Sequence, residues 1–225
     1  MLRAKEILLA VVAVVAITGL YLGIVVAVGV PEARGFLGHS LGVIGFLLML
    51  MTETLYSLRK RALRRPWGTT RSWLQFHIFT GIVGAYLVFL HAGWVFHGLA
   101  GVLTLMTAVV VTSGFVGRYI YTAVPRTADG IVLEVSEVQA RLAAAQSEMR
   151  RLRAGPTAAS VARPSGEMRE ALRRLRELEG QLAAMRWARR LLATWHTIHI
   201  PLGMVLFVTA FVHAGAAMYY ATLMR

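Results

Sequence analysis

The chain has 225 residues, 57% of them hydrophobic, and a mean hydropathy of +0.61, far above a soluble globular average. It carries 24 Lys and Arg against 11 Asp and Glu, a net charge of +13, and no cysteine. The absence of cysteine excludes disulfides, Cys-ligated iron–sulfur clusters and covalent C-x-x-C-H cofactor attachment. No G-x-G-x-x-G stands between a strand and a helix, so no dinucleotide domain is visible.

A bilayer core of about 30 Å needs about 20 apolar residues per helix. Five segments reach that length: 7–30, 36–57, 74–96, 99–122 and 193–221. The first is too long for a cleavable signal and no small-residue cleavage site closes it, so residues 1–35 read as an N-terminal anchor helix. The second opens with Gly38, Gly42 and Gly45, a small-residue stripe that lets another helix approach closely. It also carries His39 towards one end and Glu53 towards the other. The third and fourth are joined by a short loop around His97 and Gly98. The fourth ends in Ser113, Gly114, Gly117 and Arg118, followed by Tyr119, Tyr121 and Pro125. Together the second to fourth spans occupy 36–130.

From 131 to 192 the chain turns soluble. Val135, Val138, Leu142, Ala145, Met149 and Leu152 recur at alternating spacings of three and four, as do Met168, Ala171, Leu175, Leu178, Leu182 and Met185. Gly155 to Ser165, with Pro156 and Pro164, separates the two runs. This pattern predicts two amphipathic helices folded into an antiparallel hairpin. The second of them runs on into the last span, 193–225. The fold class is therefore all-α: an integral membrane bundle of about five transmembrane helices with a cytoplasmic helical hairpin.

The basic residues set the orientation. Arg59, Lys60, Arg61, Arg64, Arg65 and Arg71 fill the connection from Leu58 to Ser72, and 14 Arg with 8 acids lie between Arg118 and Leu192. With Arg3 and Lys5, 22 of the 24 basic residues fall on one side, leaving Arg34 and Arg225 on the other. The positive-inside rule places the N-terminus and hairpin in the cytoplasm and the C-terminus outside. The charge is thus a topology signal and not a nucleic-acid footprint; the expected surroundings are membrane lipid.

One pattern occurs twice. Trp73, His77, Ile78, Gly81, His91, Ala92 and Gly93 are matched, spacing for spacing, by Trp195, His199, Ile200, Gly203, His213, Ala214 and Gly215. Each copy sets two histidines 14 residues apart. That is nearly four helical turns, so both imidazoles share a face, about 21 Å apart along the axis. Ionisable side chains inside a membrane are costly and mark function. The predicted topology makes the third and fifth spans parallel, so His77 faces His199 near the inner side and His91 faces His213 near the outer side. Two stacked His–His pairs are what bis-histidine ligation of two b-type haems requires. His196 competes with His199, but it lies about 60° off the ligand line and outside the repeat. His196 remains a candidate cap for a propionate or a quinone site. His39 and His97 lie at the outer end without partners at ligand spacing.

Gly81 and Gly203 lie one turn from the inner histidines, and Gly84 midway between His77 and His91. Missing side chains there make room for a flat macrocycle or for close helix packing. Arg118, after Gly117 at a helix end, is the candidate partner for inner haem propionates. The Arg59–Lys60–Arg61 run is also placed for them, though topology accounts for it equally well. Pro201 frees a backbone carbonyl near the start of the last span.

Residues 36–222 resemble the bacterial di-haem cytochrome b transmembrane modules related to the ferric-reductase and NADPH-oxidase superfamily. The resemblance rests on paired histidines at this spacing on two helices, and on the stretches "SLRKR", "SGFVGRYIYTAVPR" and "WHTIHIPLG". It implies a prokaryotic cytoplasmic-membrane protein that moves electrons through two non-covalent b haems ligated by His77, His91, His199 and His213. It also implies a redox partner protein and a quinone or quinol as candidate donor. The chain has no flavin or NAD(P)H domain, so a self-sufficient reductase is not expected. Two alternatives stay open. One is a quinone- or metal-reducing oxidoreductase using Glu53, His39 or His196 as proton carriers. The other is a haem-free scaffold or histidine-based proton or metal transporter. For the hairpin, a solvated spacer or oligomerisation element stands beside a docking surface for the redox partner.

Overall fold

A computed structural model describes residues 5–33, 35–61, 70–93, 97–122, 135–154 and 166–223; side chains of 56–61, 70–71 and 221–223 are not described. The readings at Arg3, Arg34, Arg64, Arg65, Pro125 and Arg225, and at the link containing Pro156 and Pro164, lie outside these residues, as do the side chains of Arg59, Lys60, Arg61 and Arg71.

Six helices account for the described architecture: α1 (Lys5–Val28), α2 (Phe36–Arg61), α3 (Thr70–Ala92), α4 (Gly98–Thr122), α5 (Val135–Ala154) and α6 (Gly166–Leu223). Five of them, all but α5, are long and apolar enough to cross a membrane. The hydropathy segments and the helices coincide, because a run of apolar residues in lipid satisfies its backbone groups only within a helix. Their outward faces stay apolar: Leu20 is 69% exposed and Val208 64%. Such surfaces suit lipid rather than water.

The chain forms two compact units, Met1–Phe115 with Ile198–Arg225, and Val116–Thr197. In the first, α2 and α3 run antiparallel with their backbones in close approach. A Cβ on Gly45 would fall 2.7 Å from the Gly84 carbonyl oxygen, and one on Gly84 2.8 Å from that of Gly45. Further along the same seam Thr52 and Thr80 share a buried hydroxyl hydrogen bond of 2.7 Å. Met49, Ala85, Leu103 and Leu206 form one core that brings α2, α3, α4 and the last part of α6 together. A second core, around Ala10, Val83 and Leu87, holds α1 on α3.

The N-terminal helix is more than an anchor. It begins at Lys5, earlier than the apolar run, and Glu6, 7% exposed, accepts a hydrogen bond from Gln75 of α3 at 3.2 Å. The hydroxyls of Thr18 and Tyr86 meet at 2.6 Å. These polar contacts fix the rotation of a helix whose hydrophobicity is nearly uniform around its circumference.

In the second unit α5 packs antiparallel on the first half of α6. Val138 and Met185, each 1% exposed, form a cluster with Leu182 near the start of α5. Near its end Glu148 pairs with Arg174 at 3.9 Å. The predicted hairpin is present, and its second helix continues without a break into the last span: α6 is one helix of 58 residues with Pro201 inside it. The boundaries between the two compact units fall at 115/116 and 197/198. The ends of α4 and of the hairpin stretch of α6 belong together because the Trp195 ring lies on Gly117, where no Cβ would fit.

Candidate haem-ligand site

All four repeat histidines lie in the first unit, two on α3 and two on α6. The two helices run parallel there. Ala85 shares a core with Leu206, and His91 lies within electrostatic reach of His213. The two residues of this shared core, Ala85 and Leu206, lie within one residue of the offset of the sequence repeat. That brings His91 and His213 to one level of the bundle.

The hydrogen bonds of the rings follow a common scheme. His77 donates from Nδ1 to the Thr52 carbonyl at 3.1 Å. His91 donates from Nδ1 to the Gly38 carbonyl at 2.8 Å. A carbonyl can only accept, so the ring proton sits on Nδ1 and Nε2 keeps its lone pair. His199 Nδ1 meets the Ser113 hydroxyl oxygen at 2.5 Å, while Ser113 donates its own proton to the Val110 carbonyl at 2.9 Å. With its proton given to Val110, the Ser113 oxygen is placed to accept from His199 Nδ1. Metal-ligating histidines take this form, with one nitrogen anchored to fix tautomer and orientation and the other left for the metal. The two carbonyl acceptors are both on α2, and Gly38 and Thr52 stand 14 residues apart, like the histidines they hold.

Space for the rings comes from glycine. A Cβ on Gly42 would fall 2.8 Å from Cγ of His91 and 2.9 Å from its Cδ2, so only glycine seats that imidazole against α2. The glycines singled out by the repeat divide differently. Gly84 is taken up by the contact with Gly45, so of its two open roles the structure displays close helix packing. A Cβ on Gly81 would sit 3.7 Å from Thr52 and one on Gly203 3.9 Å from the Glu53 carboxylate, both ordinary contact distances. Glu53 itself is half-buried between α2 and α6.

His196 belongs to the second unit, where its ring meets that of Trp195 at a tilt, with centroids 4.8 Å apart. Arg118, near the end of α4, is half-buried and belongs to the second unit. His39 is exposed and meets His91 edge-on at 6.3 Å. His97 is exposed just before α4, where its carbonyl accepts from Gly101 at 3.1 Å. Among the described residues, no three His, Asp or Glu side chains gather as a bare metal site would need.

Sequence reasoning missed Thr52 and Ser113 as holders of the repeat histidines' rings, and read Gly38 and Gly42 only as a packing stripe. The available signal was the 14-residue step from Gly38 to Thr52 on a helix antiparallel to the first histidine pair. The imidazole donor set, the Nδ1 anchors and the seat at Gly42 fit a bis-histidine haem. No known protein family, characterised protein or solved structure matches the chain.

Proposed function

We propose that the chain carries electrons across a membrane through two b-type haems, each held by one histidine of α3 and one of α6. His77 with His199 would hold the inner haem, and His91 with His213 the outer. The observation that carries this reading is the anchoring of Nδ1 in His77, His91 and His199, which fixes the orientation of three repeat histidines inside helices long and apolar enough to cross a membrane. Bound haem supplies one-electron chemistry at its iron. The chain's part is to supply axial nitrogens, orient their rings and surround them with apolar side chains. The basic residues support an inner side at the N-terminus and hairpin, and the resemblance to bacterial modules supports a prokaryotic cytoplasmic membrane. With no nucleotide or flavin domain in the sequence, donor and acceptor are a redox partner protein and a quinone or quinol.

The test is a dithionite-reduced spectrum with haem extraction. Low-spin six-coordinate bands and about two haems per chain are expected, one per histidine pair. A colourless protein from haem-replete cells would overturn the reading.

A second reading, a quinone- or metal-reducing oxidoreductase, is favoured by Glu53. A half-buried carboxylate inside a membrane helix, beside Gly203 and one turn from His199, is suited to exchanging protons with a substrate. Quinone turnover by the purified chain alone would favour this reading over a pure electron carrier.

A further inference from the structure

Three ligand rings are anchored, but not alike. His77 and His91 lean on backbone carbonyls, which no substitution removes, whereas His199 leans on a side chain. Ser113 is held in turn, because its hydroxyl proton is committed to the Val110 carbonyl one turn back. Its oxygen is thereby placed to offer His199 an acceptor lone pair. A Cβ on the next residue, Gly114, would lie 3.8 Å from Cε1 of His199, so this turn of α4 follows the ring closely.

An acceptor on Nδ1–H pushes electron density through the imidazole towards the metal, which favours the oxidised iron and lowers the potential. Hydroxyl oxygen and amide carbonyl differ in acceptor strength, and only the first can be altered by a side-chain change. We infer that Ser113 is a positioning residue for the inner haem, fixing the tautomer and plane of His199 and setting that haem's potential independently of the outer one. This rests on the proposal that His199 is an axial ligand. The geometry adds where the inner haem is tuned: on α4, a helix that supplies no ligand.

The test uses the full chain in a His91→Ala background, so that the inner haem is observed alone. Ser113→Ala, Ser113→Thr and the parent are compared by redox titration and by electron paramagnetic resonance of the oxidised low-spin haem. Ser113→Ala should raise the midpoint potential and broaden or shift the low-spin signal, because the ring loses its acceptor and its fixed plane. Ser113→Thr keeps the hydroxyl and should restore both towards the parent. If Ser113→Ala sheds the haem altogether, retention by Ser113→Thr with a parent-like signal still supports the inference. An unchanged potential and signal in Ser113→Ala, or loss of haem from Ser113→Thr as well, would overturn it. A His91→Ala parent that never held haem while the wild type also lacks it would overturn the ligand proposal instead, and the spectrum of the wild type distinguishes the two failures.

Discussion

Gly42 and His91 occupy each other's space: the imidazole of α3 lies where a side chain on α2 would begin. Gly42→Ala puts a methyl group 2.8 Å from the ring's Cγ. Either the ring turns away from the Gly38 carbonyl or α2 separates from α3. We predict that Gly42→Ala loses most of the outer haem and keeps the inner, whereas Gly81→Ala, with ordinary clearance from Thr52, keeps both. Haem quantitation with redox titration checks this. Full haem content in Gly42→Ala would show that the seat is not needed.

The ligand histidines should fall into two classes. His77→Ala and His199→Ala are predicted to remove the inner haem, and His91→Ala and His213→Ala the outer, each leaving the other site about 21 Å away along the axis with its own ligands. His196→Ala should leave both haems, since that ring lies against Trp195 and outside the sequence repeat. Loss of the same haem from His77→Ala and His213→Ala would break the pairing by level.

Orientation can be tested apart from any cofactor. Reporter fusions at position 156 and after position 225 should give opposite signals, cytoplasmic for the first and external for the second, because 22 of 24 basic residues lie on the assigned inner side. Equal signals would refute this topology.

The hairpin depends on a small core. Met185→Ala is predicted to destabilise the α5–α6 pair by about 2–5 kcal/mol, since the side chain is buried against Val138 and its removal leaves a cavity. The exposed Arg141→Ala should cost about 0–1 kcal/mol, the usual worth of a surface pair such as that with Glu137. Hydrogen exchange of α5 amides separates the two. Equal protection in both variants would place the hairpin's stability elsewhere.

The helices were legible in the sequence because hydropathy and three-four periodicity report the environment of a single segment. The unbroken run of α6 was legible for the same reason, since nothing between Leu182 and Trp195 stops a helix. The ring anchors were not. Whether the Thr52 carbonyl or the Ser113 hydroxyl meets a histidine depends on the rotation of one helix against another, and a serine or threonine hydroxyl in a span commonly bonds its own turn, as Thr104 does to Ala100. Identical dipeptides also part ways. Gly93 ends α3 with a left-handed φ of 57°, while Gly215, its counterpart, lies inside α6. Glycine permits either course, and the chain that follows decides which is taken.

The two carbonyls on α2 make that helix a gauge. It contributes no ring, yet the step between Gly38 and Thr52 must match the step between His91 and His77. One residue inserted between them would turn one carbonyl about 100° relative to the other and move it about 1.5 Å. Both histidines could then no longer be anchored at once. Substitutions on the lipid side of α2 are free to accumulate, but its length between these two points is not. The interval between two levels of the bundle is thus kept by a helix that holds neither.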